Sequence, residues 1–95
     1  MSSDAVLVEF WAPWCKPCAK LEPVLEELSA RVRIERVNAD EEPDRAAQYD
    51  VLSLPTCVLL VDGELRGTVI GVRPLAHFTS WLDEVLPAAE LGTDS

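Results

Sequence analysis

The chain has 95 residues, of which 48% are hydrophobic and 26% are charged, so it is neither disordered nor low in complexity and should form one domain over residues 1–95. Its net charge of -9 repels phosphates and anionic lipid, and no apolar run approaches the about 20 residues of a membrane helix, so we expect neither nucleic acid nor membrane as a partner. The start, Met-Ser-Ser-Asp, lacks the features of a secretory signal, which predicts a cytoplasmic protein.

The first half of the chain alternates strand and helix patterns. Residues 5–11 form an apolar run that predicts a buried strand, with the acidic Glu9 inside it. An apolar stripe at helical spacing follows Pro17, and Pro23 should kink that helix. The stripe consists of Leu21, Val24, Leu25, Leu28 and Val32. Residues 33–38 are predicted to form a second strand.

The second half predicts a helix, a hairpin and a last helix. The acidic run 40–44 is typical of a solvated helix start, and the helix should cover about 43–50. Strands over 57–61 and 65–70 flank a turn at Asp62-Gly63. The final helix carries Leu75, Phe78, Leu82 and Val85, is stopped by Pro87, and precedes a loose polar tail over 88–95. This order predicts a mixed four-stranded sheet with helices on both faces.

Two of the three cysteines, Cys15 and Cys18, lie between the first strand and its helix. The first turn of a helix has unpaired N–H groups and a partial positive charge, so the pKa of a thiol at Cys15 should fall. Cys18 lies about one turn further on and should stay a buried thiol. This asymmetry predicts a two-step exchange, in which Cys15 attacks a partner's disulfide and Cys18 then resolves the mixed disulfide.

The stretch Phe10-Trp-Ala-Pro-Trp-Cys-Lys-Pro-Cys18 resembles the active-site signature of thioredoxins. Further matches over about residues 5–86 are Pro23, Val37-Asn38-Ala39-Asp40, Leu54-Pro55-Thr56, Asp62-Gly63 and Gly71. The resemblance implies an α/β, thioredoxin-like fold with a four-stranded mixed sheet flanked by three helices. It also implies a protein dithiol–disulfide oxidoreductase that reduces protein disulfides, is recycled by a thioredoxin reductase or an equivalent donor, and needs no metal or organic cofactor.

The resemblance also implies roles for single residues. Cys15 is expected to be the exposed nucleophile and Cys18 the resolving thiol. Pro55 matches the family's cis-proline beside the cysteines, which would leave the backbone of Leu54 free to pair with a substrate strand. Gly71 matches a glycine on the docking surface. The set expected to contact substrate is completed by Trp14, Lys16, Pro17 and Thr56.

Glu9 matches the position where typical thioredoxins have a buried aspartate. Burial in an apolar strand should raise the pKa of the Glu9 carboxyl, which could then take the proton of Cys18 directly or through a water. Arg36 falls where the family usually carries a lysine near that acid, and we expect a Glu9–Arg36 pair. Trp11 is expected to shield the site from water. The alternative, that Glu9 lies exposed at the sheet end and has no role, stays open here.

The chain departs from the family pattern in two ways. Lys16 replaces the usual glycine between the cysteines. Its charge should favour the thiolate and make the disulfide more oxidising, by only on the order of tens of millivolts because an exposed lysine is screened by solvent. The usual N-terminal strand–helix unit is lacking, so the strand at 33–38 is expected to be a bare sheet edge. A monomer is expected, and a homodimer across that edge stays open.

Four alternatives remain at this point. A zinc site could use Cys15, Cys18, Cys57 and His77. The cysteine pair could be a structural disulfide, although so short a loop stabilises by only about 2 kcal/mol. The protein could be a thioredoxin-fold adaptor without turnover, or an oxidant or isomerase rather than a reductant. Cys57 is expected to be a small core residue, with a regulatory thiol as a minor alternative.

Overall fold

The computed structural model describes residues 4–86, and its elements follow the predicted order. They are β1 (Ala5–Trp11), α1 (Lys16–Leu28), β2 (Arg33–Asn38), α2 (Pro43–Gln48), β3 (Thr56–Val61), β4 (Glu64–Ile70) and α3 (Leu75–Val85). Pro87 and the predicted tail over 88–95 lie outside the described residues. In the part that is described, no helix is both long enough and apolar enough to cross a membrane.

The strands form one open, mixed sheet in the order β2-β1-β3-β4. β1 runs parallel to β2, because α1 carries the chain back across the sheet between them, and β3 runs antiparallel to both β1 and β4. β2 is therefore an edge strand, as predicted. The register places Glu9 of central β1 between Arg36 of β2 and Cys57 of β3. This register brings the charged and thiol groups of three strands to one place.

Alternation along the strands divides the core between the two sheet faces. On one face Leu7 and Cys57 join the apolar sides of α1 and α3, including Leu21 and Phe78. On the other face a second cluster is packed under α2. Its buried members are Val6, Val8, Phe10, Val37, Ala46, Val58 and Leu60. The sheet is thus covered on both faces, as the predicted layers require.

Several predicted boundaries were wrong by a few residues. The first helix ends at Leu28, with Ser29 as its C-cap, and does not reach Val32. Val32 nevertheless reaches the same core from the following turn. The second helix ends at Gln48 rather than at residue 50, because Asp50 adopts a left-handed φ of 54°. Both hairpin strands begin one residue earlier than predicted, at 56 and 64.

Two turn features depend on residue types seen in the sequence. Asp62 and Gly63 have φ of 53° and 84°, the left-handed pair that a tight two-residue hairpin needs, so the predicted turn is confirmed. Pro23 lies inside α1, as predicted, but the helix continues through it as one element. The buried stripe of α1 continues on both sides of Pro23, at Leu21 and Leu25, and packing of this stripe stabilises the helix where a backbone hydrogen bond is lost.

Candidate functional site

The cysteine pair lies at the start of α1, just after β1. The structure holds it as a Cys15–Cys18 disulfide with Cα atoms 5.3 Å apart. Cys15 is the N-cap of α1, and its Sγ accepts a hydrogen bond from the Cys18 N–H at 3.2 Å. Pro17 occupies the first turn, where a missing N–H costs nothing. The local sequence therefore places one sulfur against the amide end of the helix and the other one turn later.

The expected exposure of Cys15 was wrong. Only 6% of Cys15 is exposed in the disulfide form, against 2% of Cys18. The reason is packing: the bonded sulfurs form a small cluster with Ala12, and the half-buried Trp11 and Leu54 cover it. Cys15 remains the more accessible sulfur-bearing residue of the two, but by a narrow margin.

The rim of the site on the α1 side is exposed. Trp14 is 67% exposed, and its indole Nε1 donates to Oδ2 of Asp40 at 2.8 Å. That hydrogen bond fixes a large apolar ring at the surface beside the disulfide. Lys16 and Pro17 are exposed next to it. These three predicted substrate-contacting residues therefore share one open side of the cysteine pair.

The opposite rim comes from the loop before β3. The Leu54–Pro55 peptide bond is cis, as the resemblance implies, and Leu54 packs against the cysteine cluster. The carbonyl of Pro55 accepts from the N–H of Gly71 at 2.8 Å, so Gly71, with a φ of 88°, lies beside it. Thr56 is buried, and its hydroxyl donates to the Ser53 carbonyl at 2.7 Å. The structure brings the predicted loop residues together, although Thr56 faces inward rather than outward.

Glu9 is fully buried on the sheet face covered by α1 and α3, and not exposed at the sheet end. Burial raises the pKa of its carboxyl, and the hydrogen bond and charge of Arg36 only partly offset that rise. Oε1 accepts from Nε of Arg36 at 2.9 Å, which confirms the expected pair. Oε2 is buried and has no hydrogen-bond partner within residues 4–86. One oxygen of the acid is thus held and the other is unpaired.

Arg36 connects this buried acid to the surface. Its Nη2 donates to Oε2 of Glu22 at 3.1 Å, and its guanidinium carbon lies 4.9 Å from the centre of the Trp11 ring. The side chain of Arg36 is 39% exposed and that of Glu22 is 52% exposed. Arg36 is therefore positioned by an acid on either side and by an aromatic face.

Cys57 is the one free cysteine of residues 4–86 and is fully buried. It is opposite Glu9 in the β1–β3 register. Burial, reinforced by the negative charge of Glu9, raises the pKa of the Cys57 thiol to about 12. This setting agrees with the expected small core residue.

The structure does not bring together the four residues that the zinc alternative requires. Cys15 and Cys18 are bonded to each other, while Cys57 lies in a different core cluster. Across the described part of the chain, no three potential ligands are grouped closely enough to hold a metal ion.

Two residues of this site were missed by the sequence reasoning. Glu22 follows Cys18 by four positions, so its place one turn along α1 was a usable signal. The sequence indicates Asp40 as an acidic helix start and as part of the family match over 37–40, but not as the residue that anchors Trp14 across 26 positions. No local pattern links Trp14 to Asp40, because the contact depends on how β2 lies beside β1.

The chain is similar to known proteins both in sequence and in structure. The sequence model of the family described as Thioredoxin matches residues 1–84. Thioredoxin 1 of Synechococcus elongatus is 43% identical over 89 residues, which cover 90% of this chain and 83% of that protein. Chloroplastic Thioredoxin M2 of Arabidopsis thaliana is 41% identical over 90 residues, and this chain spans only 48% of its length.

A solved structure agrees with these sequence matches. A single-site mutant of the thioredoxin from Halobacterium salinarum NRC-1 superimposes with a TM-score of 0.81 at 34% identity. The match covers 86% of this chain and 74% of that one.

Proposed function

Because the chain belongs to the thioredoxin family and is a dithiol–disulfide oxidoreductase, we propose that it reduces disulfides of other proteins with Cys15 as nucleophile and Cys18 as resolving thiol. The observation that carries this assignment is the hydrogen bond from the Cys18 N–H to Sγ of Cys15 at the start of α1. An amide that donates to sulfur stabilises the thiolate once the disulfide is reduced, so the pKa of Cys15 should lie below that of a free thiol.

The reaction begins with the reduced protein. The Cys15 thiolate attacks one sulfur of the substrate disulfide, forms a mixed disulfide, and releases the other substrate sulfur as a thiolate that takes a proton from water. Cys18 then loses its proton and attacks Sγ of Cys15. That step closes the Cys15–Cys18 bond and expels the second substrate sulfur as a thiolate, so two electrons pass to the substrate.

Glu9 is the proposed acceptor of the Cys18 proton. α1, which carries Cys18, packs over the sheet face on which Glu9 lies. A carboxyl whose pKa is raised by burial is a better base than a solvated one, and its unpaired Oε2 is able to bind a proton or a bridging water. Arg36, which lies over the Trp11 ring, holds the other oxygen of this carboxyl, Oε1, in place.

Substrate would bind across the two rims described above. Trp14, Lys16 and Pro17 offer one exposed side, and Leu54, Pro55 and Gly71 offer the other. An extended substrate segment would pair with the backbone at Leu54 and place its disulfide over Cys15. Thr56 would support this loop from inside through its bond to the Ser53 carbonyl.

We further propose protein disulfides as substrates, a thioredoxin reductase or an equivalent donor for recycling, and the cytoplasm as the compartment. A monomer suits this role, because all the proposed site residues come from one chain. Size-exclusion chromatography distinguishes this monomer from a homodimer across the β2 edge.

Insulin-disulfide reduction tests the proposal, with dithiothreitol or a thioredoxin reductase as the electron source. Wild-type protein should accelerate the reduction, whereas Cys15→Ser should return the rate to that of the electron source alone. Cys57→Ala is the matched control and should keep its turnover, because Cys57 lies outside the cysteine cluster. Equal turnover by wild type and Cys15→Ser would leave the adaptor alternative ahead.

A redox titration followed by tryptophan fluorescence separates reductant from oxidant. Trp11 packs on the cysteine cluster, so its emission should report the Cys15–Cys18 couple. A couple near the about -270 mV of thioredoxin would indicate a reductant, whereas a couple near about -180 to -120 mV would indicate an oxidant or isomerase.

A further inference from the structure

Arg36 divides its two hydrogen-bonding arms between a buried acid and an exposed one. Nε donates to Glu9 Oε1 at 2.9 Å and Nη2 donates to Glu22 Oε2 at 3.1 Å. These two nitrogens form one edge of the guanidinium, the edge that commonly grips both oxygens of a single carboxylate. Here that edge is shared, and Oε2 of Glu9 is left unpaired within residues 4–86.

We propose that Glu22 is a positioning residue that keeps the second arm of Arg36 away from Glu9, so that Oε2 of Glu9 stays free to take a proton. Without Glu22, Nη2 would lack this carboxylate, and a rotation of the planar guanidinium about Nε would let Nη2 donate to the unpaired oxygen of Glu9. Arg36 would then hold Glu9 through both oxygens and stabilise its ionised form. The inference rests on the proposed role of Glu9 for its catalytic meaning, but its geometry is independent of turnover.

The surroundings of Glu9 limit what else could change its titration. Arg36 faces it from β2, Cys57 from β3 and Glu22 from α1. The side chains of α3 on this face are apolar, namely Leu75, Phe78, Trp81, Leu82 and Val85. In the oxidised protein Cys18 does not titrate, and the pKa of Cys57 is about 12. Arg36 and Glu22 are therefore the charged groups of this set that act on the Glu9 carboxyl.

The setting of Glu22 favours a role through Arg36. Glu22 stands at the rim of a cavity of about 300 Å³ between α1 and β2, which is also lined by Leu25, Glu26 and Ile34. Glu26 lines the same cavity one turn further along α1 but makes no hydrogen bond to Arg36 within residues 4–86. The two glutamates thus form a matched pair, with similar placement and only one contact to the guanidinium.

The experiment is a titration of the Glu9 side-chain carboxyl by carbon NMR in the oxidised protein, with Glu22→Ala, Glu22→Gln and Glu26→Ala. Glu22→Ala frees Nη2 and should lower the Glu9 midpoint by about one pH unit. Glu22→Gln removes the charge but keeps an oxygen that accepts from Nη2, so its shift should be smaller, about 0.2 to 0.7 unit. Glu26→Ala should leave the midpoint in place.

Two results would overturn the proposal. Equal shifts in Glu22→Ala and Glu22→Gln would mean that only the charge of Glu22 matters and that it does not hold the arm. A Glu22→Ala midpoint that matches Glu26→Ala would mean that Glu22 has no effect on Glu9 at all. Neither result depends on insulin reduction, so a failure here is separate from a failure of the proposed function.

Discussion

Two regions of one sheet hold cysteine in opposite settings. At the end of β1, Cys15 caps a helix and its sulfur accepts a backbone N–H. In the middle of β3, Cys57 lies among apolar side chains and opposite a buried carboxyl. Both residues are less than a tenth exposed, at 6% and 0%. Burial alone therefore does not separate a reactive cysteine from an inert one.

What separates them is the sign of the nearest electrostatic influence. A helix start offers unpaired N–H groups and partial positive charge, which favour a thiolate. A strand interior offers no free donor, because its amides are used in the sheet, and Glu9 adds a negative charge beside Cys57. Under the proposed function, the same side chain is therefore expected to exchange in one region and to stay protonated in the other.

The largest expected effect concerns labelling of Cys57. With a pKa of about 12, its thiolate fraction at pH 7 is only ~10⁻⁵, so iodoacetamide should label it at least about 1000-fold more slowly than an unfolded cysteine. Mass spectrometry of the oxidised protein, with and without urea, measures both rates. Rapid labelling of Cys57 without urea would erase the contrast between the two regions.

The next effect is on stability. Cys57→Ser places a hydroxyl in an apolar setting and should lower the free energy of unfolding by about 1–3 kcal/mol. Cys57→Val, the apolar control, should cost less than about 1.5 kcal/mol. Urea denaturation measures both, and insulin reduction should persist in both variants. If Cys57→Ser unfolded at the wild-type midpoint, the β3 region would be more polar than described.

A smaller effect is expected of Glu9 on how the free energy of unfolding depends on pH. Its folded pKa is raised, so the folded state keeps a proton that the unfolded state releases above about pH 4.5. Stability should therefore fall as pH rises from there to the folded pKa, by at most ~1.4 kcal/mol for each pH unit. Glu9→Gln should remove this fall and be more stable than wild type at pH 7. If the free energies of unfolding of wild type and Glu9→Gln, measured by urea denaturation, changed with pH in the same way, the raised pKa of Glu9 would be contradicted.

The smallest effect concerns the reduction potential of the Cys15–Cys18 couple. Lys16 is exposed beside Cys15, and its positive charge favours the thiolate of the reduced form. Lys16→Gly should therefore make the couple more reducing, by roughly 10–20 mV because the charge is screened by solvent. Equilibration with glutathione measures the potential, and Lys20→Gly serves as the control. A change toward a more oxidising couple would reverse the proposed influence of Lys16.

The sequence was sufficient wherever a local pattern decides the structure. The strand before Cys15, Pro17 in the first turn and the hairpin at Asp62-Gly63 all follow from period, spacing and turn chemistry. The pairing of Glu9 with Arg36 came from the family resemblance, and the β1–β2 register then confirmed it.

Features that depend on tertiary packing were out of reach. Val32 fits the helical spacing, but the chain leaves the helix at Ser29 and still buries Val32. The cover over Cys15 comes from Leu54, which is distant in sequence. The sharing of Arg36 between two acids depends on the distance between α1 and β2, which no periodicity gives.

The central claim is that the start of α1 holds Cys15 as a thiolate once the disulfide is reduced. The direct measurement is the rate of Cys15 alkylation in the reduced protein across about pH 4–10. We predict a midpoint clearly below the about 8.5 of a free cysteine. A midpoint at or above that value would contradict the account.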